Sequence, residues 1–138
     1  MKKRVMCVHT ELVREGSVLY EGKDGNTGIT TTEEAAGFAA SFFGKQDKEL
    51  LYVCAVNGEL EPVLMELVAK GSKNVCYAEP ADIFKSAIMA NAYGIFCFHN
   101  HPGGRAKASK EDIDLTARLE ACGVMLAADS VTGSYYYQ

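Results

Sequence analysis

Long apolar runs are missing from this sequence of 138 residues, and none approaches the roughly 20 apolar residues that a membrane-spanning helix needs. The basic N-terminus, Met1–Cys7, also lacks the apolar core and the small-residue cleavage site of a signal peptide. These absences favour a cytoplasmic protein with no membrane partner. No repeat, low-complexity tract or linker divides the sequence, so we expect a single domain over residues 1–138.

The cysteines lack the number and the spacing of a structural framework. The five of them are scattered along the chain without a Cys-x-x-Cys pair: Cys7, Cys54, Cys76, Cys97 and Cys122. An odd, scattered set argues against a network of disulfides and against a zinc site made of thiolates. It is typical of reduced, mostly buried thiols in the cytosol.

An excess of basic residues is missing as well. Lysine and arginine number 14 against 18 acidic residues, for a formal net charge of −4. The protein therefore has no overall attraction for phosphate backbones, and DNA association would depend on a small local patch. Apolar residues make up 48% of the sequence and charged residues 23%, which is typical of a globular domain with a true core.

Apolar periodicity and turn residues predict strands that alternate with helices. Strands are predicted at Val5–Val8, Glu49–Val56, Pro62–Val68, Val75–Tyr77, Ile95–Phe98, Val124–Ala127 and Tyr135–Tyr137. Helices are predicted at Ala35–Phe43, Ala81–Ala92 and Ser109–Ala121. Thr31 and Glu34 have capping-box spacing before the first helix, and Asn57-Gly58 indicates a hairpin turn. The pattern predicts an α/β (α+β) fold, with a mixed β-sheet flanked by helices.

Side chains that bind metals cluster in the last third of the chain. His99 and His101 are two residues apart at the end of the strand predicted at Ile95–Phe98, and Asp112 follows after a glycine-containing connection. Residues i and i+2 of a strand point to the same face, so the two imidazoles can converge on one ion. Asp112 falls in the first turn of the helix predicted from Ser109. Two imidazoles and one carboxylate can hold a catalytic zinc and leave one position for water.

Each part of this cluster also has an ordinary explanation. A lone His-x-His is more often a surface pair or a hydrogen-bonded pair, and Ser109-x-x-Asp112 is also a plain helix start of the capping-box type. An ordinary loop gains nothing from combining these features beside a buried strand. The combination therefore favours a metal site.

The residues of the cluster resemble those of a known family. His99-x-His101, seven further residues and then Ser109-x-x-Asp112 match the JAMM motif of the JAB/MPN metalloprotease superfamily. The positions that resemble the RadC-like branch are His99, Asn100, His101, Pro102, Gly104, Ser109, Asp112 and Thr116, with Phe84, Ala87 and Asp129 outside the motif. The resemblance extends from about Val13 to the end of the chain. It implies a JAB/MPN-like fold, related to the cytidine-deaminase-like fold.

The sequence departs from the RadC-like pattern at three positions. That branch usually has serine where Gly103 stands and prolines near Ala106 and Ala108, so this connection is expected to be looser. The helix-hairpin-helix segment that often precedes the domain in longer members is not recognised in this sequence.

The resemblance implies a zinc-dependent hydrolase that cleaves a peptide, isopeptide or other amide bond. His99, His101 and Asp112 would be the ligands of one Zn²⁺ per chain, and Ser109 would stabilise the developing oxyanion. The family also uses a glutamate on an earlier strand as general base. Glu49 is the best match, and the lesser candidates are Glu59, Glu61 and Glu66, whose ordinary explanation is surface or hairpin charge. Glu49 itself has the alternative of a solvated charge at a strand end.

A second class of function stays open. The same fold can serve as a non-catalytic DNA-repair or recombination accessory, or as a protein-binding module, although the acidic net charge weighs against DNA. A nucleobase deaminase is excluded because its His-x-Glu and Pro-Cys-x-x-Cys motifs are absent, and no His-Glu-x-x-His sequence of a zincin is present.

Other residues near the motif have more modest interpretations. Phe96 and Phe98 are expected on the face opposite His99, whereas Cys97 shares the face of His99 as a packing thiol. Asp114 is read as a solvated charge and His9 as structural. The basic residues of the connection form a small rim that is best explained by solvation: Arg105, Lys107 and Lys110. Tyr135–Tyr137 is expected to form an edge strand that can pair in a homodimer.

Overall fold

The computed structural model of the chain describes residues 1–22, 24–43, 47–71, 78–100, 113–115, 117–119, 121 and 130–137. The strands predicted at Val75–Tyr77 and Val124–Ala127 lie outside the described residues, as does the start of the helix predicted at Ser109–Ala121. Residues 113–115, 117–119 and 121 of that last segment are helical, as predicted.

Two helices and four strands have defined bounds. In chain order they are α1 (Thr32–Phe43), β1 (Leu50–Val56), β2 (Pro62–Lys70), α2 (Pro80–Met89), β3 (Gly94–Asn100) and β4 (Ser130–Tyr137). The strands form one sheet in the order β2-β1-β3-β4. β1 is antiparallel to both β2 and β3, whereas β4 is parallel to β3. The prediction of a mixed sheet with flanking helices is confirmed.

The two central strands, β1 and β3, are buried on both faces because their side chains alternate between two hydrophobic clusters. On one face, Cys54, Phe96 and Phe98 pack against α1 through Phe38. On the other, Val53, Ala55, Ile95 and Cys97 pack against α2. Every residue of β3 is buried, as the apolar run predicts. Full burial of a side chain such as Phe98 contributes about 1.5–3 kcal/mol to stability.

The hairpin between β1 and β2 forms, but its turn differs from the one that Asn57-Gly58 suggests. The backbone amide of Asn57 donates a hydrogen bond to the Glu61 carbonyl, and this bond closes a loop of three residues. Leu60, and not Gly58, takes the left-handed conformation, with φ of 61°. A type I turn followed by one left-handed residue is a common way to close such a loop. The asparagine still matters, because its Oδ1 accepts hydrogen bonds from the amides of Glu59 and Glu61.

α1 begins at Thr32, directly after the predicted cap and three residues before the predicted Ala35. α2 begins at Pro80, one residue before the predicted Ala81, and ends early. Thr31 Oγ1 accepts a hydrogen bond from the Glu34 amide, as in the predicted capping box before α1. α2 was expected to reach Ala92, but Asn91 adopts a left-handed φ of 50° and the helix stops at Met89. Asparagine tolerates this conformation, which lets the last carbonyls of a helix bond to the chain that turns away. β3 then starts at Gly94 and runs to Asn100, two residues beyond the predicted end.

The prediction of a strand at Val5–Val8 is wrong. Residues 1–22 contain neither helix nor strand, and Val5 and Val8 are exposed. A strand of this length needs a neighbouring strand to complete its hydrogen bonds, and the described sheet provides none at this segment. Separately, each helix in the described part of the chain falls short of the length and apolar character needed to cross a membrane.

Two glycines allow a test of the packing at the hairpin. A Cβ at Gly28 would lie 2.6 Å from the carbonyl oxygen of Glu59, whereas a Cβ at Gly37, on the exposed side of α1, would meet nothing within 4 Å. Gly28→Ala should therefore lower the free energy of unfolding by about 1–3 kcal/mol. Gly37→Ala, the matched control, should raise it by roughly 0.5–1 kcal/mol because alanine favours the helix. Urea unfolding checks both values, and equal effects of the two substitutions would contradict this packing.

Candidate functional site

His99 lies within β3 and not in the loop that follows the predicted strand. It faces the α2 side of the sheet with Ile95 and Cys97, because side chains two residues apart on a strand share a face. Only 6% of its surface is exposed. Phe96 and Phe98 point to the opposite face, as predicted. The imidazole is therefore held in the buried end of the sheet.

Glu49 directly precedes β1 and is brought to the same place by the strand register. Leu51 pairs with His99, so Glu49, two residues earlier, lies on the same face and one diagonal step away. Its Oε1 is 3.3 Å from Nδ1 of His99. The two side chains are 11% and 8% exposed, respectively. The fold thus brings together two residues that are far apart in sequence and were both singled out from it.

This pair has the arrangement of a metal-binding histidine with its carboxylate partner. A carboxylate at Nδ1 fixes the orientation and the tautomer of the ring, so that Nε2 becomes the ligand nitrogen. The distance of 3.3 Å exceeds the roughly 2.7–2.9 Å of a tight charge-assisted bond. The geometry suits either an orienting carboxylate or a nearby base.

Asn100 also belongs to this site, although the sequence indicated only its place in the RadC-like pattern and no role for its side chain. Its Oδ1 accepts a hydrogen bond from the Leu50 amide at 2.7 Å, and its Nδ2 donates to the Lys48 carbonyl at 3.0 Å. The side chain is buried, with 4% exposed. The signal was available, because an asparagine beside a wholly apolar strand must find partners for its amide.

The remaining predicted site residues lie outside the described part of the chain: His101, Ser109 and Asp112, together with Arg105, Lys107 and Lys110. Within the described residues, no group of three or more His, Cys, Asp or Glu side chains is arranged to hold a metal. The described part therefore contains one of the three predicted ligands, His99. A buried imidazole backed by a carboxylate fits a zinc ligand. The assignment of the ligand set stays a prediction.

The three lesser candidates for the base lie elsewhere. Glu59 and Glu61 belong to the hairpin at the opposite end of β1 from Glu49. The Glu61 carboxylate accepts hydrogen bonds from the Thr27 hydroxyl and from the side-chain amide of Asn57. These bonds lower the pKa of the carboxyl. Glu66 pairs with Val53 midway along β2, an edge strand of the sheet. Of these four glutamates, Glu49 is the one whose carboxylate contacts His99.

Three other predictions concern side chains around the site. Cys97 is fully buried in the cluster against α2, in accord with a packing thiol. Asp114 is exposed, as expected of a solvated charge. His9 was expected to be structural, but it is exposed in the N-terminal segment and that interpretation is wrong. A single histidine in a sequence does not reveal whether the surrounding segment packs.

Comparison with known proteins identifies similar sequences over most of the chain. A family model described as the RadC-like JAB domain matches residues 29–130. A UPF0758 protein of Clostridium beijerinckii is 34% identical over 103 residues, which are 75% of this chain and 45% of the relative. A UPF0758 protein of Staphylococcus haemolyticus is 34% identical over 98 residues, 71% of this chain and 43% of the relative. The matched region thus spans less than half the length of these relatives.

The buried thiols of β1 and β3 should be unreactive. Burial raises the pKa of the Cys97 thiol to about 12, and burial with nearby Cys97 raises that of Cys54 to about 12, whereas Cys7 is exposed. Because the thiolate is the nucleophile, iodoacetamide at pH 8 should label Cys7 and spare Cys54 and Cys97 until the protein is unfolded. Peptide mass spectrometry checks the labelling. Rapid modification of Cys97 in the native protein would show that the sheet face beside His99 is open.

Proposed function

The chain belongs to the RadC-like JAB domain family, and on that premise we propose that it is a zinc-dependent hydrolase of the JAMM type. Its substrate would contain a peptide, isopeptide or other amide bond. The observation that carries the proposal is the buried pair of His99 and Glu49, whose Nδ1 and Oε1 atoms are 3.3 Å apart. Burial of an imidazole and a carboxylate lowers stability unless their polar atoms are paired or hydrogen-bonded. Buried ionisable pairs of this kind concentrate at functional sites.

In this proposal, His99, His101 and Asp112 hold one zinc ion per chain. His101 follows His99 at the spacing that puts strand side chains on one face. Asp112 supplies the anionic oxygen from the helix start. When bound, zinc supplies Lewis-acid chemistry, polarising a carbonyl group and lowering the pKa of a water molecule to about 7.

Glu49 is proposed to carry the proton. Its carboxylate would accept a proton from the attacking water at an Oε atom and deliver it to the nitrogen of the leaving amine. This role needs a carboxylate that is held in place and shielded from bulk water. Glu49 has 9% of its surface exposed and lies beside His99, which suits the role.

Ser109 is proposed to donate a hydrogen bond from its hydroxyl to the oxyanion of the tetrahedral intermediate. Loss of one such donor typically lowers the rate by about 10²–10³. Whether this hydroxyl instead caps the helix is answered by Ser109→Ala, which would then change stability and leave hydrolysis intact.

Substitution of the ligands and of the base should have different effects on zinc content. His101→Ala and Asp112→Ala should lose bound zinc, because each removes one of three ligands. Glu49→Gln should keep zinc and lose hydrolysis, because the amide preserves the shape of the side chain and cannot accept the proton. Zinc is measured by mass spectrometry after mild washing with a chelator. Equal zinc in all three variants would contradict the ligand assignment.

A library of peptides and isopeptides tests the hydrolase against the non-catalytic alternative. The zinc-loaded protein should cleave at least one class of amide bond, and Glu49→Gln at equal zinc content should not. If the zinc-loaded protein cleaves none of the substrates, the result would instead favour a DNA-associated accessory or a protein-binding module on the same fold. Gly37 lies on the exposed side of α1, so the Gly37→Ala variant serves as the control for protein preparation and zinc loading.

A further inference from the structure

The carboxamide of Asn100 is bound to the chain on both sides of Glu49. The Lys48 carbonyl, which accepts from Nδ2 at 3.0 Å, belongs to the peptide group that joins Lys48 to Glu49. The Leu50 amide, which donates to Oδ1 at 2.7 Å, belongs to the peptide group that joins Glu49 to Leu50. One side chain thus holds both peptide groups that flank the Cα of Glu49.

Holding both peptide groups determines the direction of the Glu49 side chain. Each peptide group is planar, so the only soft rotations between two neighbouring planes are φ and ψ of the residue that joins them. The carbonyl of Glu49 accepts a further hydrogen bond from the Gly71 amide at 2.8 Å, from the β2 side. With φ and ψ of Glu49 fixed, its Cα–Cβ bond can point only toward the face of the sheet that carries His99.

Asparagine is suited to this task by its chemistry. Its terminal group contains one donor and one acceptor side by side, as a backbone peptide does. It therefore continues the ladder between β3 and β1 beyond the Leu51–His99 pair, where Glu49 is not itself part of a strand. Because Asn100 directly follows His99 in sequence, one rigid segment of β3 connects the proposed ligand, His99, to the backbone of the proposed base, Glu49.

We propose that Asn100 is a positioning residue, which fixes the backbone at Glu49 so that its carboxylate stays against Nδ1 of His99. This inference rests on the proposed function, because it gives Asn100 a part in zinc binding and hydrolysis that it exerts only through Glu49. Asn100 does not touch the reacting atoms and acts only through the position of Glu49.

The test compares zinc affinity of Asn100→Asp in two backgrounds. Asn100→Asp keeps the acceptor for the Leu50 amide and loses the donor to the Lys48 carbonyl, so the protein should fold with Glu49 displaced. Zinc affinity, measured by competition with a chelator, should fall roughly tenfold, the lower end of the 10- to 100-fold range for outer partners of a ligand. In a Glu49→Ala background, the same substitution should change affinity less than about twofold, because the residue through which it acts is gone.

Controls separate this role from a general effect on the fold. Asn91→Asp makes the same chemical change at an exposed site and should leave zinc affinity unchanged. Asn100→Leu removes both hydrogen bonds and should weaken zinc binding more than Asn100→Asp does. An equal loss in the wild-type and Glu49→Ala backgrounds, or no loss in either, would overturn the proposal. So would a failure of both Asn100 variants to fold, since Asn100 would then serve the whole sheet.

A second readout works without metal and keeps the two proposals distinguishable. In the metal-free wild type, long-range ¹H–¹⁵N spectra should show His99 protonated at Nδ1, with the exposed His9 as the internal reference. Asn100→Asp should shift His99 toward the Nε2-protonated tautomer, as Glu49→Ala should, and leave His9 unchanged. If the wild type binds no zinc but these tautomer shifts occur, the proposed function fails and the positioning role stands. An unchanged His99 tautomer would overturn the positioning role.

Discussion

The antiparallel register between β1 and β3 is the constraint on which the site depends. Leu51 opposite His99 places every odd-numbered residue at this end of the two strands on the α2 side of the sheet, including Glu49. A slip of the register by one residue would transfer Glu49 to the other face and separate it from the imidazole. The register is protected by hydrophobic burial on both faces, because any slip would also expose the core.

Burial gives the contact between Glu49 and His99 its strength. Both side chains are nearly removed from solvent, so their interaction is screened less than that of a surface pair such as Arg118 with Glu79. The same burial makes an unpaired carboxylate costly, which favours structures in which the pair is kept. Asn100 then adds geometric control, because two hydrogen bonds hold the backbone from which the carboxylate extends.

Much of the fold was predictable because local patterns and tertiary packing agree. The apolar run of β3 and the Thr31–Glu34 cap each predict the element that forms. The failures come from information that is not local. Val5–Val8 has an apolar pattern without a partner strand, and the left-handed conformations of Leu60 and Asn91 depend on how the chain must turn to rejoin the sheet.

The sequence by itself determined which side chains are available for the proposed chemistry: two closely spaced histidines, the later Asp112 and a glutamate before a buried strand, in an order that matches a known motif. Residue types and spacing along one segment carry that information directly. Only the tertiary structure decided which of four glutamates lies beside His99, and that Asn100 holds the backbone of Glu49. Both outcomes depend on pairing between residues about 50 positions apart, and strand register is set by burial of the whole sheet rather than by the residues of the motif.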